Sequence, residues 1–345
     1  MARKLATIQK ISALNPIPNA DQIEVASVLG WKVVVKKGEF EVGDLCVYCE
    51  IDSILPDKPE FEFLKKSKFR IRTCRLRGQI SQGICFQLNI LPDIGESEPM
   101  AEGEDVTERM AIEKWLPTIP ACIAGEVKGP FPSFMPKTDE TRVQLLQNVL
   151  NRHNGIKCYI TEKVDGSSAT YYLKDGEFGV CSRNLDLKET PGNAFWEYAR
   201  KIDLEGKMRK FCWGACKNLA LQGELVGLGI QKNPLKMDER KVIFFNAFNI
   251  DEYRYWNFSD LTGILKSLDL EMVPIVWEDY NLINDIDKLV ELAKDKSKIN
   301  PKVWREGIVI RPICETIDLE MSNEFNNGRL SFKVINPEYL LEFDS

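Results

Sequence analysis

A lysine that precedes an aspartate and a glycine is the part of this sequence whose residue types suit covalent chemistry. Lys163 lies three residues after the β-prone pair Tyr159-Ile160, and Val164-Asp165-Gly166 comes directly after it. This order predicts a strand that ends in a turn just after Lys163. A lysine amine has a pKa near ~10.4, so only about one in a thousand is uncharged and nucleophilic at neutral pH. A metal ion or a dry pocket would lower that pKa. Lys163 is therefore a candidate nucleophile, although this short segment alone also suits a surface lysine before a β-turn.

Five short segments after Lys163, each at the end of a predicted strand, add side chains that suit phosphate and metal chemistry. Arginine and lysine bind phosphate, and carboxylates bind hard divalent cations. The segments are Ser182-Arg183-Asn184, Gly223-Glu224-Leu225, Phe244 to Ile250, Glu306 to Arg311 and Ser331 to Ile335. The sequence contains neither GxxxxGK[ST] nor a GxGxxG after a strand, so a nucleotide would not be held by a P-loop or a Rossmann turn.

The order of these segments resembles that of the covalent nucleotidyltransferase superfamily of polynucleotide ligases and capping enzymes. The resemblance runs from Pro132 to Tyr339, and the lead-in from Phe131 to Gln144 is similar to that of RNA ligases. Trp31 to Phe40 and Arg75 to Gly83 resemble the ATP-dependent RNA ligases of the Naegleria type, which carry an OB domain before the catalytic domain. DNA ligases and capping enzymes place an OB domain after the last lysine segment, whereas only a short tail follows it here.

The resemblance implies a three-step reaction centred on Lys163. Lys163 attacks the α-phosphate of ATP and releases pyrophosphate, AMP moves to the 5′-phosphate of RNA, and a 3′-OH then displaces it. Asp165, Glu224 and Glu306 would hold Mg²⁺ or Mn²⁺, directly or through its waters. Glu224 and Glu306 would also belong to the nucleotide site, and Lys333 would contact the α-phosphate as a point charge.

The resemblance assigns five more residues to the nucleotide. Phe248 would stack on adenine, Glu162 would read the adenine edge, and Arg183 would hold the ribose or the 5′-phosphate. Lys137 and Arg142 would orient the outgoing pyrophosphate.

Two positions depart from the pattern of many relatives. Ile335 occupies the place of a second lysine after Lys333, so the sequence offers one phosphate-binding lysine there instead of two. Asn249 stands where the family often has an aspartate after the stacking phenylalanine, which leaves a polar but uncharged partner.

A basic segment near the N-terminus is the candidate nucleic-acid surface. Seven cationic residues lie between Lys65 and Arg77. Within it Arg70, Arg72, Arg75 and Arg77 are interleaved with apolar residues, which predicts a strand with one buried and one basic face. This pattern fits phosphate contact, and it equally fits an ordinary solvated strand face.

The elements around these residues indicate two domains. Residues 1–115 are predicted to form a small barrel that resembles the OB-fold, and its strands are Ile23 to Leu29, Trp31 to Val35, Leu45 to Ile51, Arg70 to Arg77 and Gly83 to Leu88. Residues 116–130 would be a linker, preceded by a helical piece from Val106 to Trp115. Residues 131–345 would form an α+β nucleotidyltransferase domain with largely antiparallel sheets, and its helices are Arg142 to Asn151, Asn193 to Ile202, Ser259 to Leu268 and Ile286 to Lys294.

Composition places bounds on the class of protein. The chain has 345 residues, 28% of them charged, and a net charge of −6, which argues against generic coating of nucleic acid. Ten scattered cysteines and one histidine argue against structural zinc and against histidine-dependent nucleophiles. No apolar run is long enough for a membrane span or a signal peptide, so we expect an intracellular monomer, cytoplasmic or nuclear, without membrane contact.

The sequence therefore predicts an ATP-dependent RNA ligase that joins 3′-OH and 5′-phosphate ends at nicks in duplexes. An ATP-dependent DNA ligase differs from it in the sugar of the 3′-OH strand and stays open. A non-catalytic RNA-binding protein on the same fold is the alternative from another class.

Overall fold

The computed structural model describes residues 4–92, 100–116, 125–214, 216–322 and 327–343. The chain divides into two compact units, one made of Met1–Pro117 with Pro337–Ser345 and the other of Thr118–Asn336. The predicted catalytic domain extended to residue 345, whereas the structure groups the last nine residues with the first unit.

A five-stranded antiparallel sheet forms the body of the first unit. The strands of this unit are β1 (Ala6–Pro16), β2 (Ile23–Val28), β3 (Trp31–Lys36), β4 (Leu45–Cys49), β5 (Ser53–Ile54), β6 (Cys74–Leu76), β7 (Gln79–Ser81), β8 (Ile84–Phe86) and β9 (Glu113–Lys114). The sheet has the order β3-β2-β1-β4-β8. The Gln82 amide donates to the Lys32 carbonyl at 2.9 Å and the Val34 amide to Ser81 Oγ at 3.0 Å. These bonds bring edge strand β3 against the β7–β8 region, so the sheet nearly closes and the predicted barrel is confirmed.

The basic segment of the first unit does not form the predicted strand. Within it Cys74–Leu76 is a short strand, Arg70 forms an isolated bridge with Ile54, and Pro59–Ser67 is a 3₁₀ helix. The Arg70 side chain is buried, donates to Asp52 Oδ1 at 2.7 Å, and lies 3.5 Å from the centroid of the Trp115 ring. The prediction of a strand with one uniformly basic face is wrong, because Arg70 serves the packing of this unit.

The C-terminal helix Pro337–Phe343 was not predicted and belongs to the first unit. Its Leu340 packs against the apolar core of that unit, and Glu338 accepts from Arg75 at 2.6 Å. The predicted helical piece Val106–Trp115 is absent, because this segment forms turns and strand β9.

Two largely antiparallel sheets form the second unit. The seven-stranded sheet has the order β10-β15-β14-β13-β16-β17-β18, with β10 (Val127–Pro130), β13 (Ser167–Lys174), β14 (Glu177–Cys181), β15 (Leu185–Leu187), β16 (Leu219–Val226), β17 (Lys241–Asn249) and β18 (Arg254–Tyr255). The five-stranded sheet has the order β11-β23-β20-β12-β19, with β11 (Thr141–Arg142), β12 (Lys157–Lys163), β19 (Ile275–Asn281), β20 (Gly307–Pro312) and β23 (Phe332–Ile335). Strands β21 (Ile317–Ser322) and β22 (Asn327–Arg329) form a separate hairpin.

Helices cover one face of each sheet in the second unit. Residues of Ala194–Lys201, Leu204–Cys212 and Phe258–Ser267 share a core with the seven-stranded sheet. Gln147–Arg152 and Ile286–Ala293 do the same for the five-stranded sheet. The predicted α+β class with largely antiparallel sheets is therefore confirmed.

Several predicted element bounds differ from those observed. The helix predicted from Arg142 begins at Gln147, because Thr141–Arg142 pairs with β23 as a short parallel strand. The strand predicted at Met272 begins at Ile275, and helix Leu204–Cys212 was missed. The nine cysteines that the structure describes are free. None of the helices in the described ranges combines the length and apolar character that a membrane span requires.

Candidate active site

Lys163 is the last residue of β12 and lies beside an acidic residue of the neighbouring strand. Lys163 pairs in register with Gly307 of β20, which places Glu306 next to it. The Lys163 ammonium Nζ donates to Glu306 Oε2 at 2.6 Å, and both side chains are largely buried. The structure thus joins two of the predicted site residues in one buried ion pair.

Two glycines permit this close packing. A Cβ on Gly307 would lie 2.2 Å from the Val334 carbonyl oxygen, and a Cβ on Gly166 would lie 2.3 Å from the Leu225 carbonyl oxygen. Only glycine lets backbone approach this near. The tight turn after Lys163 therefore lies directly against β16, the strand that carries Glu224.

Three carboxylates hold the lysine in its charged form. Burial lowers the pKa of Lys163, but the charges of Glu306, Glu224 and Asp165 outweigh that effect and raise this pKa above its usual value. Burial, together with the neighbouring carboxylates and despite Lys163, raises the pKa of Glu224 to about 8. These carboxylates consequently favour the ammonium form of Lys163, and an added cation that offsets their charge would lower its pKa.

The carboxylates fit a hard divalent ion in donor type and charge. Asp165, Glu224 and Glu306 supply oxygen ligands and act together on the Lys163 ammonium. Within the described residues, however, no three histidine, cysteine or acidic side chains converge closely enough to form a metal site. This arrangement suits an ion that keeps its waters and meets the carboxylates through them, as Mg²⁺ commonly does.

A second row of cations lies on the same face of the five-stranded sheet. Pleating puts Lys163 and Thr161 on one face, and Thr161 pairs with Val309, Val309 with Lys333, and Lys333 with Arg142. Burial, together with the charges of Lys163 and Arg142, lowers the pKa of Lys333 to about 7. A buried lysine among like charges is a place that favours an anion such as phosphate.

The lead-in segment before β11 contacts the turn that contains Arg183. Lys137 Nζ donates to Asn184 Oδ1 at 3.1 Å, and Thr138 Oγ1 lies 2.6 Å from Ser168 Oγ. Asp139 forms an ion pair with Arg183, whose guanidinium remains about half exposed. The structure therefore brings Lys137 and Arg183 together.

Phe248 is not placed as predicted. It is 1% exposed, and its ring makes edge contacts with Tyr253 and Tyr255 in an apolar cluster. Its ring has no free face for a base, so the prediction that it stacks on adenine conflicts with the structure.

Phe245 is the aromatic residue of β17 that the sequence analysis missed. It is the extra residue of a β-bulge opposite Gln222 and Gly223, it is only partly buried, and Arg311 lies 5.7 Å from its ring centroid. The bulge shifts the alternation of side chains along the strand, and the sequence carries no signal for that shift.

Glu162 also differs from its predicted role. Its side chain is 2% exposed, and Oε2 accepts from the Lys298 amide at 2.7 Å. Adjacent strand residues point to opposite faces. Glu162 therefore supports the segment around Lys298 instead of facing the same side as Lys163.

The other arginines predicted to bind nucleic acid differ in their surroundings. Arg75 forms an ion pair with Glu338, and Arg72 is partly buried. Arg77 is exposed in the turn between β6 and β7. Of the four arginines, Arg77 is thus the most open to an external phosphate.

Comparison with known proteins supports this arrangement. A family model described as an OB-fold domain matches residues 5–88, and one described as RNA ligase matches residues 156–335. Structures of Naegleria gruberi RNA ligase mutants with ATP and Mn and with AMP and Mn are 36% identical, cover 99% of both chains, and have a TM-score of 0.87. The structure of that ligase with PPi has the same identity and coverage and a TM-score of 0.86. A search of curated proteins gave no significant match.

The fold and these matches thus define a ligase with a preceding OB-fold domain. The chain belongs to the RNA ligase family. The predicted resemblance to ligases of the Naegleria type is confirmed along nearly the whole chain.

Proposed function

We propose that this RNA ligase uses ATP and a divalent cation, Mg²⁺ or Mn²⁺, and forms a covalent lysyl-AMP on Lys163. The observation that carries the proposal is the buried Lys163–Glu306 pair, with Lys333 and Arg142 one row further along the same sheet face. A nucleophile, its carboxylates and a phosphate-binding row are the parts that nucleotidyl transfer to lysine requires.

The first step transfers AMP to the lysine. The Lys163 amine forms a bond to the α-phosphorus of ATP, the bond from that phosphorus to the bridging oxygen breaks, and pyrophosphate leaves. A divalent ion held by Asp165, Glu224 and Glu306, directly or through its waters, would supply positive charge that lowers the lysine pKa and offsets charge on the phosphate. Glu306 Oε2, which lies 2.6 Å from Lys163 Nζ, orients the nucleophile. Lys333 stabilises the α-phosphate, whereas Arg142 and Lys137 orient the pyrophosphate.

The later steps use the same side chains on RNA. AMP passes from Lys163 to a 5′-phosphate, and a 3′-OH then attacks that phosphorus and releases AMP. Arg183 binds the ribose or the 5′-phosphate once Asp139 gives up its ion pair with it. The base of the nucleotide stacks on Phe245, which takes the role first predicted for Phe248.

The names of the similar structures support the small molecules in this scheme. The Naegleria gruberi mutants are described with ATP and Mn and with AMP and Mn, and the ligase is also described with PPi. The substrate and the leaving group of the first step, and the AMP released in the last step, are thus represented in a relative that matches 99% of this chain.

We further propose that the natural substrate is a nick in an RNA-containing duplex and that the enzyme acts as a monomer. Arg72 and Arg77 of the first unit would contact the duplex backbone. Arg70 is no longer proposed to contact RNA, because it is buried against Asp52 and Trp115. Arg75 would contact the duplex only if its ion pair with Glu338 breaks.

Sealing assays on matched substrates test this proposal. Nicked duplexes with a ribose or a deoxyribose 3′-OH strand, and the same strands without a splint, are incubated with ATP and Mn²⁺. The proposal expects efficient sealing of the nick with a ribose end and weak joining of free single strands. Equal sealing of a deoxyribose end would favour the DNA ligase alternative, and preference for free strands would overturn nick sealing.

A further inference from the structure

Two loops of the second unit, residues 229–237 and 296–303, concentrate positive charge. Neither loop contains an aspartate or a glutamate, although the whole chain has a net charge of −6. Together the loops carry five exposed lysines, which are Lys232, Lys236, Lys296, Lys298 and Lys302. The loops are therefore a local basic feature of an otherwise acidic chain, and such features attract anionic ligands.

These five lysines have no carboxylate partner in the described part of the chain, whereas other lysines of the same unit form ion pairs. Two acids next to the loops are engaged elsewhere. Glu239 pairs with Lys201 at 3.0 Å, and Asp295 accepts from the Lys296 backbone amide at 2.8 Å. The charge of the five ammonium groups is therefore open to an external anion.

The first loop is held in a defined conformation. Asn233 Nδ2 donates to the Met237 carbonyl at 2.9 Å, and the Met237 amide donates back to Asn233 Oδ1 at 3.0 Å. Gln231, Asn233 and Lys236 have φ values between 44° and 51°, in the left-handed region. Residues other than glycine keep this backbone only where the surrounding structure enforces it, and they are concentrated at functional sites. The loop therefore presents its lysines in a fixed arrangement.

The second loop is ordered in a similar way and is joined to the first. Ser297 Oγ accepts from the Ile299 amide at 3.0 Å and from the Asn300 amide at 3.2 Å. Asn300 Nδ2 donates to the Leu235 carbonyl of the first loop at 2.9 Å. The two loops thus form one surface. We call it the lysine surface, and its cations are the five lysines named above.

The lysine surface is anchored to both neighbours of the nucleophile. Leu235 of the first loop and Val303 of the second share an apolar cluster with Val164, which directly follows Lys163. Glu162, which directly precedes Lys163, accepts from a backbone amide of the second loop at 2.7 Å. The residues on either side of Lys163 therefore fix the position of both loops.

We propose that the lysine surface binds the phosphate backbone of the RNA substrate beside the reacting ends. The inference rests on the proposed function and deepens it, because it places RNA contacts on the unit that carries the nucleophile. Lysine acts on phosphate as a point charge and does not read the base, so this surface supplies affinity without sequence specificity. Each lysine that meets a phosphate displaces counterions from the RNA, and binding therefore depends on salt.

The salt dependence of RNA binding tests this assignment. A fluorescently labelled nicked RNA duplex is titrated over a range of KCl concentrations into full-length Lys163→Met protein and into the same protein with Lys232→Gln and Lys302→Gln. We expect this double variant to bind roughly 3- to 10-fold more weakly at about 0.1 M KCl. The slope of log affinity against log salt concentration should be smaller by roughly 1 to 2. Lys232→Arg with Lys302→Arg keeps both charges and should keep the slope.

Lys210→Gln with Lys266→Gln is the matched control, since it removes the same amount of charge. Both lysines are exposed, and they lie on helices Leu204–Cys212 and Phe258–Ser267, which cover the seven-stranded sheet. The control should change the slope by less than about 0.5. Thermal melting checks that each variant is folded, and single substitutions are compared in the same way where a double variant is not.

Two results in the titration would overturn the assignment: an unchanged slope in the Lys232→Gln, Lys302→Gln protein, or an equal loss in the control. Label transfer from α-labelled ATP is measured with Lys163 restored. Weaker labelling of the double variant than of the wild type would also overturn it, because the lysines would then serve the nucleotide. Absence of labelling in the wild type would refute the proposed function, whereas normal labelling and sealing with an unchanged slope would refute only the lysine surface.

Discussion

Glu306 Oε2 lies 2.6 Å from Lys163 Nζ, and this contact defines the resting state of the site. Glu224 and Asp165 add negative charge, so the pKa of Lys163 is raised although its burial acts to lower it. The same acids that would attract a metal ion therefore keep the nucleophile protonated until an ion arrives. Under the proposed mechanism, adenylylation of Lys163 should therefore depend on the cation.

Removal of metal should stop the first step without preventing nucleotide binding. With EDTA in place of Mn²⁺, label transfer from α-labelled ATP should fall to background, because the carboxylates then hold Lys163 as an ammonium. The Glu306→Gln variant should lose roughly 10² or more in adenylylation rate even with metal, since it removes an acidic group of the site. Full labelling in EDTA by metal-free protein would contradict this explanation.

Lys333 should take up a proton when an anion binds. Burial and the charges of Lys163 and Arg142 lower the pKa of Lys333 to about 7, so this lysine is mostly neutral at pH 8. Pyrophosphate would raise that pKa, and affinity should therefore fall as pH rises from 7 to 9. Calorimetry at pH 8 in two buffers of different ionisation enthalpy measures the uptake.

Lys333→Arg is the control for this proton uptake. Arginine keeps the positive charge at every pH of the experiment. The variant should bind pyrophosphate with less proton uptake than the wild type, and its affinity should depend less on pH. Identical uptake by both proteins would show that Lys333 is already charged.

Substitutions of Phe245 and Phe248 on β17 should separate nucleotide binding from stability. Phe245→Ala should weaken AMP binding roughly tenfold, because a stacking platform is lost, with a modest change in melting temperature. Phe248→Ala should instead lower the free energy of unfolding by about 3–5 kcal/mol, since the ring is 1% exposed. Titration of AMP and thermal melting of both variants decide the assignment. The opposite pattern would restore the stacking role of Phe248.

Two arginines of the first unit should separate a role in RNA contact from a role in folding. Arg77→Gln should slow sealing of a nicked duplex, leave lysine adenylylation unchanged, and alter stability by less than about 0.5 kcal/mol. Arg70→Met should destabilise the protein by roughly 3 kcal/mol, because it leaves Asp52 without its buried partner. If Arg77→Gln slows sealing and adenylylation equally, the division of labour between the units fails.

Local strand signals made much of the catalytic unit predictable. Lys163, Glu306 and Lys333 lie at or near the ends of apolar, β-branched segments, and these segments are strands that pair with one another. Side-chain alternation then puts Lys163 and Lys333 on one sheet face. The charge-bearing part of the site follows from such periodicity combined with the family resemblance.

Features set by tertiary context could not be predicted in this way. The bulge that changes the facing of Phe245 depends on how β17 pairs with β16. The burial of Arg70 depends on Asp52 and Trp115, which are distant from it in the sequence. Asp139 likewise meets Arg183 only in the folded unit.

The most direct test of the account is transfer of label from α-labelled ATP to the protein. Wild-type protein freed of bound AMP, Lys163→Ala, and wild-type protein with labelled GTP are compared in the presence of Mn²⁺. The account predicts covalent labelling with ATP that survives denaturation and alkali, is released by acid as a P–N bond requires, is lost in Lys163→Ala and is weak with GTP. Absence of labelling from either nucleotide in folded wild-type protein would contradict the lysyl-AMP mechanism, and labelling that persists in Lys163→Ala would place the nucleophile elsewhere.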